Sequence, residues 1–150
     1  MKIAVLEHFT AQPEGASPAA WVAEGRAMRD AVIEDLLRLP GVGVVVIERR
    51  RAFRGALRRT DAALVIAPEE GRILERLSRA VEEGGRLLLG PSAAAVRLAA
   101  DKLATARCLM AAGVATPRCE AVPFASARRH LSAWPVPFVV KPRDGRGCRG

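Results

Sequence analysis

A lysine followed by a glycine-rich, basic loop is the part of this sequence with the clearest capacity for chemistry. Lys141 comes directly after Phe138-Val139-Val140, an apolar run with the form of a short buried strand. Gly145, Gly147 and Gly150 lie among the arginines that follow. Glycines let backbone amides approach a ligand closely, and basic side chains add positive charge. The pattern is therefore typical of a polyphosphate-binding loop.

Lysine is rare in this sequence, which makes each position informative. Of the 24 basic residues, only Lys2, Lys102 and Lys141 are lysine. Lys102 lies on a predicted helix, from which it could reach the same polyanion, so that two lysines from different segments would hold one ligand. The alternative is that Lys141 is a surface cation after an edge strand and that the glycines form only a hairpin.

Polar residues after the first apolar run form a second group of candidates. Glu7, His8 and Thr10 follow the predicted strand Ile3–Leu6. Ligands of open α/β sheets bind beyond the carboxyl ends of the strands, so these three are candidate substrate-binding residues. His8 could carry a proton or be only a hydrogen-bonding loop residue. No GxGxxG or GK[ST] sequence is present, which removes the main support for a nicotinamide-dependent dehydrogenase or a Walker P-loop.

Apolar runs alternate with helical patterns and must position these residues. Strands are predicted at Ile3–Leu6, Val42–Ile47, Ala62–Ile66 and Arg86–Leu89. Helices are predicted at Ala20–Leu39, from Pro68 to Gly84, at Ala93–Ala100 and at Asp101–Ala112, with Ser92 as an N-cap. This order predicts an α/β fold with a Rossmann-like parallel sheet.

The pattern changes after Gly113. Strands are predicted at Cys119–Val122 and Pro137–Val140, with a short helix at Ser126–Leu131 between them. This indicates the start of a small α+β subdomain.

The arginines between the second and third strands admit two interpretations. Arg49-Arg50-Arg51-Ala52-Phe53-Arg54 could be a solvated connector, or it could be an anion-attracting rim at a strand end. The sequence leaves both open.

Composition limits the class of protein. A net charge of +8 is compatible with nucleic-acid binding, but only 4% of the residues are aromatic, so stacking platforms for bases are scarce and this function is disfavoured. Three cysteines without a CxxC pair support neither a disulfide framework nor a zinc site. No signal peptide or membrane span is predicted, which indicates a cytoplasmic protein without membrane partners.

Four segments together resemble the linear signature of the ATP-grasp superfamily. They are Leu89-Gly90-Pro91-Ser92, Asp101-Lys102, Ala112–Pro117, and Pro137–Pro142 with its glycine-rich loop. The resemblance implies a Rossmann-like preceding domain with connecting helices at residues 1–113 and an incomplete small ATP-grasp subdomain at 114–150. A narrower resemblance, to the tyramine-glutamate ligases of methanofuran-type cofactor synthesis and their bacterial relatives, is carried by Leu6–Thr10, Glu24–Met28 and Asp144–Gly150.

The resemblance implies the N-terminal part of an ATP-dependent carboxylate-amine ligase, which forms an amide from a small carboxylate and a small amine through an acyl phosphate. ATP contacts are expected from Lys102, Lys141, Gly145, Gly147 and Gly150. The second cofactor is Mg²⁺, whose ligands are expected beyond residue 150. No catalytic or metal-binding residue is therefore assigned within the chain, which is expected to be inactive alone.

An alternative function is a non-catalytic, basic Rossmann-like module that binds a nucleotide, a protein partner or nucleic acid. The sequence also leaves a homo-oligomer open.

Overall fold

The computed structural model describes residues 1–134 and 137–144 of the chain. It divides into two compact units, Met1–Arg97 and Leu98–Gly150. Each unit is described by itself. The family resemblance implies a different boundary, between a preceding domain at residues 1–113 and a small ATP-grasp subdomain at 114–150. That boundary stays a prediction.

A parallel sheet of four strands forms the centre of the first unit. The strands are β1 (Lys2–Glu7), β2 (Gly43–Val46), β3 (Ala62–Ile66) and β4 (Leu87–Leu88), in the spatial order β2-β1-β3-β4. Each lies within one or two residues of its predicted apolar run, and all neighbouring pairs are parallel. The predicted α/β fold with a Rossmann-like parallel sheet is confirmed.

Six α-helices surround or follow these strands in the described part of the chain. They are α1 (Ala19–Leu37), α2 (Phe53–Leu57), α3 (Ile73–Glu83), α4 (Ala93–Ala100), α5 (Lys102–Ala111) and α6 (Ala127–Leu131). The predicted N-cap of α4 is confirmed, because the Ser92 hydroxyl accepts a hydrogen bond of 3.2 Å from the amide of Ala95.

The alternation of side chains along β1 separates the core into two layers. Ala4 and Leu6 face α2 and α3, where they pack with Phe53, Leu57 and Val81. The other face is formed by Ile3, Val5 and Ala62, against which Ile33 and Leu36 of α1 pack. Because Glu7 follows Ile3 and Val5 with a period of two, its side chain also points toward α1. The alternation of side chains along β1 thus places the Glu7 carboxylate on a buried face of the sheet.

Helix α2 is an element that the sequence pattern did not predict. It lies in the arginine-rich connection between β2 and β3, directly after a 3₁₀ turn at Arg50–Ala52. Phe53 and Leu57, four residues apart, are both buried and anchor the helix on the sheet. The surrounding arginines mask this short apolar stripe in the sequence.

The second unit contains the predicted short helix but not the predicted strands. Residues 119–122 and 137–140 have no strand structure and are mostly exposed, so those two predictions are wrong. A strand needs a neighbour for its backbone groups. Pro137 removes a donor from the second segment, and prolines at positions 117, 123 and 142 flank the two segments. α6, by contrast, follows a 3₁₀ turn at Phe124–Ser126 and matches the predicted helix.

Two general properties can be stated for the described residues. None of their helices is both long and apolar enough to cross a membrane. Cys108 and Cys119 are free thiols.

Glu75 on α3 is a buried carboxylate between two arginines. Its side chain is 3% exposed and accepts hydrogen bonds of 2.6 and 2.7 Å from Arg72 and of 2.8 Å from Arg79. Arg72 adopts a left-handed conformation with φ of 58° immediately before α3. Its hydrogen bonds, opposed in part by desolvation, lower the pKa of Glu75 from 4.5 to about 2.

We expect this ion pair to make folding stability depend on pH. Because the pKa of Glu75 is lower in the folded state, its contribution is complete above about pH 4.5 and is lost as the pH falls toward about 2. Urea unfolding over this pH range should show that the free energy of unfolding falls less with decreasing pH in Glu75→Gln than in the wild type. Glu83→Gln, an exposed position on the same helix, is the matched control. Identical pH profiles for the wild type and Glu75→Gln would contradict the assignment.

Candidate functional site

The carboxyl end of β1 is shaped by the Glu7 side chain. Its oxygens accept hydrogen bonds of 3.0 Å from the amide of Phe9 and 2.7 Å from the amide of Thr10. Glu7 is only 1% exposed, so these bonds offset much of the cost of burying the carboxylate. The chain therefore leaves the strand through a turn that is held by its last side chain.

Gly25 of α1 makes room for this carboxylate. A Cβ atom at position 25 would lie 2.5 Å from both Cδ and Oε2 of Glu7, closer than real Cβ atoms approach other atoms. Gly25 is the buried residue of α1, and its conformation is not left-handed, so the requirement is for space and not for backbone freedom. Glycine here allows the helix backbone to lie directly on the turn.

His8 and Thr10 also lie in this turn. His8 is buried, its amide donates a 2.8 Å hydrogen bond to the carbonyl of Ile66 in β3, and its ring contacts Phe9 edge to face with centroids 5.0 Å apart. Thr10 is half-buried, and its hydroxyl donates to the Glu7 carbonyl at 3.3 Å. The structure thus brings Glu7, His8 and Thr10 together at the strand end, in contacts that support the turn. Their role in substrate binding stays a prediction.

An arginine-lined cleft lies beside this turn, at the carboxyl ends of β1 and β2. It measures about 570 Å³. One wall is residues 11–14, and the other is Glu48 together with Arg49, Arg50 and Arg51. The amide of Arg50 donates a 3.1 Å hydrogen bond to the carbonyl of Ala11, which joins the two walls. Arg49, Arg50 and Arg51 thus form part of a cleft. The sequence alone did not distinguish this arrangement from a solvated connector.

In the second unit, Asp101 and Arg143 join the start of α5 to the segment that carries Lys141. Nε of Arg143 lies 3.0 Å from both carboxylate oxygens, and one terminal nitrogen lies 2.6 Å from Oδ2. The amide of Lys102 donates a 3.1 Å hydrogen bond to the carbonyl of Arg143. Arg143 lowers the pKa of Asp101 from 3.8 to about 2, with smaller contributions that include the amides of Ala104 and Leu103.

This contact brings the two predicted ATP-binding lysines into one region. Lys141 is two residues from Arg143, so the chain geometry places the Cα atoms of Lys102 and Lys141 no more than about 14 Å apart. Lys102 is half-buried at the first turn of α5, and Lys141 is exposed. The predicted contacts Gly145, Gly147 and Gly150 lie outside the described residues. Arg143 itself was not predicted, because its pairing with Asp101 spans 42 positions of the sequence.

A further polar cluster in the second unit was also missed. Glu120 accepts a 2.9 Å hydrogen bond from Nε of Arg118 and lies 3.4 Å from Nε2 of His130, while Arg118 stacks 4.9 Å from the ring centre of Trp134. Arg118 and His130 lower the pKa of Glu120. No sequence motif marks this cluster, since its members lie in irregular chain and in α6.

No group of three His, Cys, Asp or Glu side chains that could hold a metal ion occurs within residues 1–134 and 137–144.

Comparison with known proteins gives two findings and one absence. Residues 27–96 match the pre ATP-grasp 3 domain. The matched segment runs from the middle of α1 to α4 and so includes β2, β3 and β4. No curated protein sequence matches the chain.

A solved structure resembles the chain over a larger part of its length. It is the crystal structure of a protein from Archaeoglobus fulgidus that is provisionally assigned to the ATP-grasp superfamily, with a TM-score of 0.56 and 23% sequence identity. The likeness covers 74% of this chain and 40% of the archaeal one, so the present chain spans well under half the length of its structural neighbour. At this identity the likeness shows a shared fold. The domain match at residues 27–96 supports the resemblance to the ATP-grasp superfamily.

The packing of Glu7 on Gly25 can be tested by adding one methyl group. We expect Gly25→Ala to lower the free energy of unfolding by about 1–3 kcal/mol, the usual cost of overpacking. Gly55→Ala is the matched control, because the nearest atom to its Cβ, on Arg58, is 3.8 Å away. It should be unchanged or stabilised by up to about 1 kcal/mol. Equal denaturation midpoints for Gly25→Ala and the wild type would refute the close packing.

Amide hydrogen exchange tests the docking of Arg143. Arg143→Ala should accelerate exchange at the Lys102 amide but leave Leu103 and Ala104 protected, because the Asp101 carboxylate accepts from those two amides. Asp101→Ala should expose all three amides.

Arg107→Ala, an exposed arginine of α5, is the control and should change none of the three rates. If Arg143→Ala leaves exchange at Lys102 unaltered, the contact between the two segments is wrong.

Proposed function

We propose that this chain is the N-terminal portion of an ATP-dependent ligase that joins a small carboxylate to a small amine. The observation that carries the proposal is the docking of Arg143 on Asp101 and Lys102, which keeps the Cα atoms of two lysines from distant segments within about 14 Å of each other. The domain match at residues 27–96 and the shared fold support the superfamily part of the proposal. In this role, ATP supplies the phosphoryl group that activates the carboxylate.

The lysine side chains, and not the helix terminus, are the groups that would meet the phosphates. The first amides of α5 are already occupied: Lys102 donates to Arg143, and Leu103 and Ala104 donate to Asp101. The start of this helix therefore has few free donors for an anion, although helix starts often bind phosphate. In this proposal the ammonium groups of Lys102 and Lys141 supply positive charge to the phosphates, and Gly145, Gly147 and Gly150 would add backbone amides.

Asp101 and Arg143 act as positioning residues in this proposal. Asp101 caps α5 and pairs with Arg143, so one carboxylate fixes both the helix that carries Lys102 and the segment that carries Lys141. Holding both segments before a ligand arrives reduces the entropy lost on binding.

Mg²⁺ is the second cofactor of the proposed reaction. Its usual ligands are carboxylate oxygens and water, and the described residues hold no group of three candidate ligands. As the resemblance to the ATP-grasp superfamily implies, the magnesium ligands are proposed to come from a part of the ligase beyond residue 150. The narrower proposal, an amide-forming step in methanofuran-type cofactor synthesis, rests on the resemblance of Leu6–Thr10, Glu24–Met28 and Asp144–Gly150 to tyramine-glutamate ligases.

Binding of ATP measured by calorimetry tests the proposal. We expect Lys102→Ala and Lys141→Ala each to raise the dissociation constant by about tenfold or more, since each removes a charge-assisted contact. Lys2→Ala removes the same charge from the start of β1 and should have little effect. Absence of ATP binding by the wild type, or equal weakening in all three variants, would overturn the proposal.

A further inference from the structure

The cleft at the carboxyl ends of β1 and β2, in the first unit, has walls that are held in place by hydrogen bonds. Its two walls are joined by the hydrogen bond from Arg50 to Ala11, and the turn that leads to Ala11 is held by the buried Glu7. Its volume of about 570 Å³ falls within the usual range for small-molecule sites. It also lies beyond the carboxyl ends of parallel strands, where open α/β sheets bind ligands.

Three consecutive arginines line this cleft. Within the described part of the chain, the side chains of Arg49, Arg50 and Arg51 make no ion pair or hydrogen bond. Other arginines behave differently, since Arg29, Arg38 and Arg72 each pair with a carboxylate. Guanidinium groups in adjacent positions repel one another, and a bound anion relieves this repulsion.

Arg50 is best placed to hold a ligand. Arg50 is half-buried, whereas Arg49 and Arg51 are exposed. The hydrogen bond from its amide to the carbonyl of Ala11 fixes its backbone. A guanidinium on a fixed backbone loses less conformational entropy on binding than one on a mobile surface. It presents several N–H donors in one plane, which suits the oxygens of a carboxylate or a phosphate.

Acidic residues also line the cleft and limit the kind of anion that it could hold. Glu14 and Glu48 line the same cleft as the arginines. Their charges would repel the repeated phosphates of a nucleic-acid strand but can lie beside a single anionic group. Arg54, Arg58 and Arg59 continue the basic run, yet they are not part of the lining. The lining is thus of mixed charge and concave, unlike the continuous basic stripe that a polyanion requires.

We propose that this cleft is a binding site for a small anion, whose carboxylate or phosphate group is held by Arg49, Arg50 and Arg51. The site lies wholly in the first unit and involves neither Lys102 nor Lys141. It therefore stands whether or not the chain binds ATP.

Calorimetric titration with succinate and with inorganic phosphate at low salt tests this site. The titrations use a Lys102→Ala/Lys141→Ala background, so that phosphate bound by the lysines does not contribute. We expect Arg50→Ala to weaken binding by about tenfold or more. Arg54→Ala removes the same charge outside the cleft and should weaken binding less than about twofold. Circular dichroism verifies that each variant is folded.

Glu48→Gln provides a second, opposite readout. Removing this carboxylate should tighten anion binding, because it removes a repulsion, whereas a variant that merely disturbed the fold would weaken it. Preference for succinate would identify a carboxylate ligand, and preference for phosphate a phosphorylated one; either supports the site. The proposal is overturned if neither anion binds, if Arg50→Ala and Arg54→Ala have equal effects, or if only a short oligonucleotide binds.

Discussion

The hydrogen bonding of the buried Glu7 carboxylate is the interaction on which the carboxyl-terminal edge of the sheet depends. A carboxylate away from water is costly unless its oxygens accept hydrogen bonds, and here the amides of Phe9 and Thr10 supply them. The arrangement also requires a position without a side chain on α1, which Gly25 provides. One glycine and one acid, 18 positions apart, thus determine together how the chain leaves β1.

This constraint extends to the neighbouring strand. The turn held by Glu7 leads to Ala11. The carbonyl of Ala11 accepts a hydrogen bond from the amide of Arg50, which follows β2. The exits of two strands are consequently set by one side chain. This explains why a loop containing proline and glycine can still form one wall of a defined cleft.

Much of the sheet could be predicted from the sequence because buried parallel strands are short aliphatic runs bounded by turn residues. Ala62–Ile66 was predicted to the residue. The same rule failed at residues 119–122 and 137–140, since an apolar run indicates burial or pairing without specifying a partner. Helix α2 was missed for the opposite reason: Phe53 and Leu57 are a minimal apolar pair among arginines, and only their packing on the sheet makes the segment helical.

The site was less predictable than the fold because its contacts are distant in sequence. The glycine and lysine patterns indicated Lys102 and Lys141 as candidate ligand-binding residues. Nothing in the sequence indicates that Asp101 contacts Arg143. Likewise, a run of arginines looks the same whether it faces solvent or lines a cleft. Residue type indicates which chemistry is available, and tertiary contacts decide where it is assembled.

The contact between Asp101 and Arg143 also has an entropic meaning. It closes a segment of 42 residues, and such closure costs chain entropy that increases only slowly with length. The ion pair and the hydrogen bond from the Lys102 amide offset part of that cost, and so hold the two segments together before a ligand arrives. A ligand that bridges both ends would share the cost and shift the segment toward the closed form. Affinity at this place would then depend on the stiffness and length of the intervening chain, including residues that never touch the ligand.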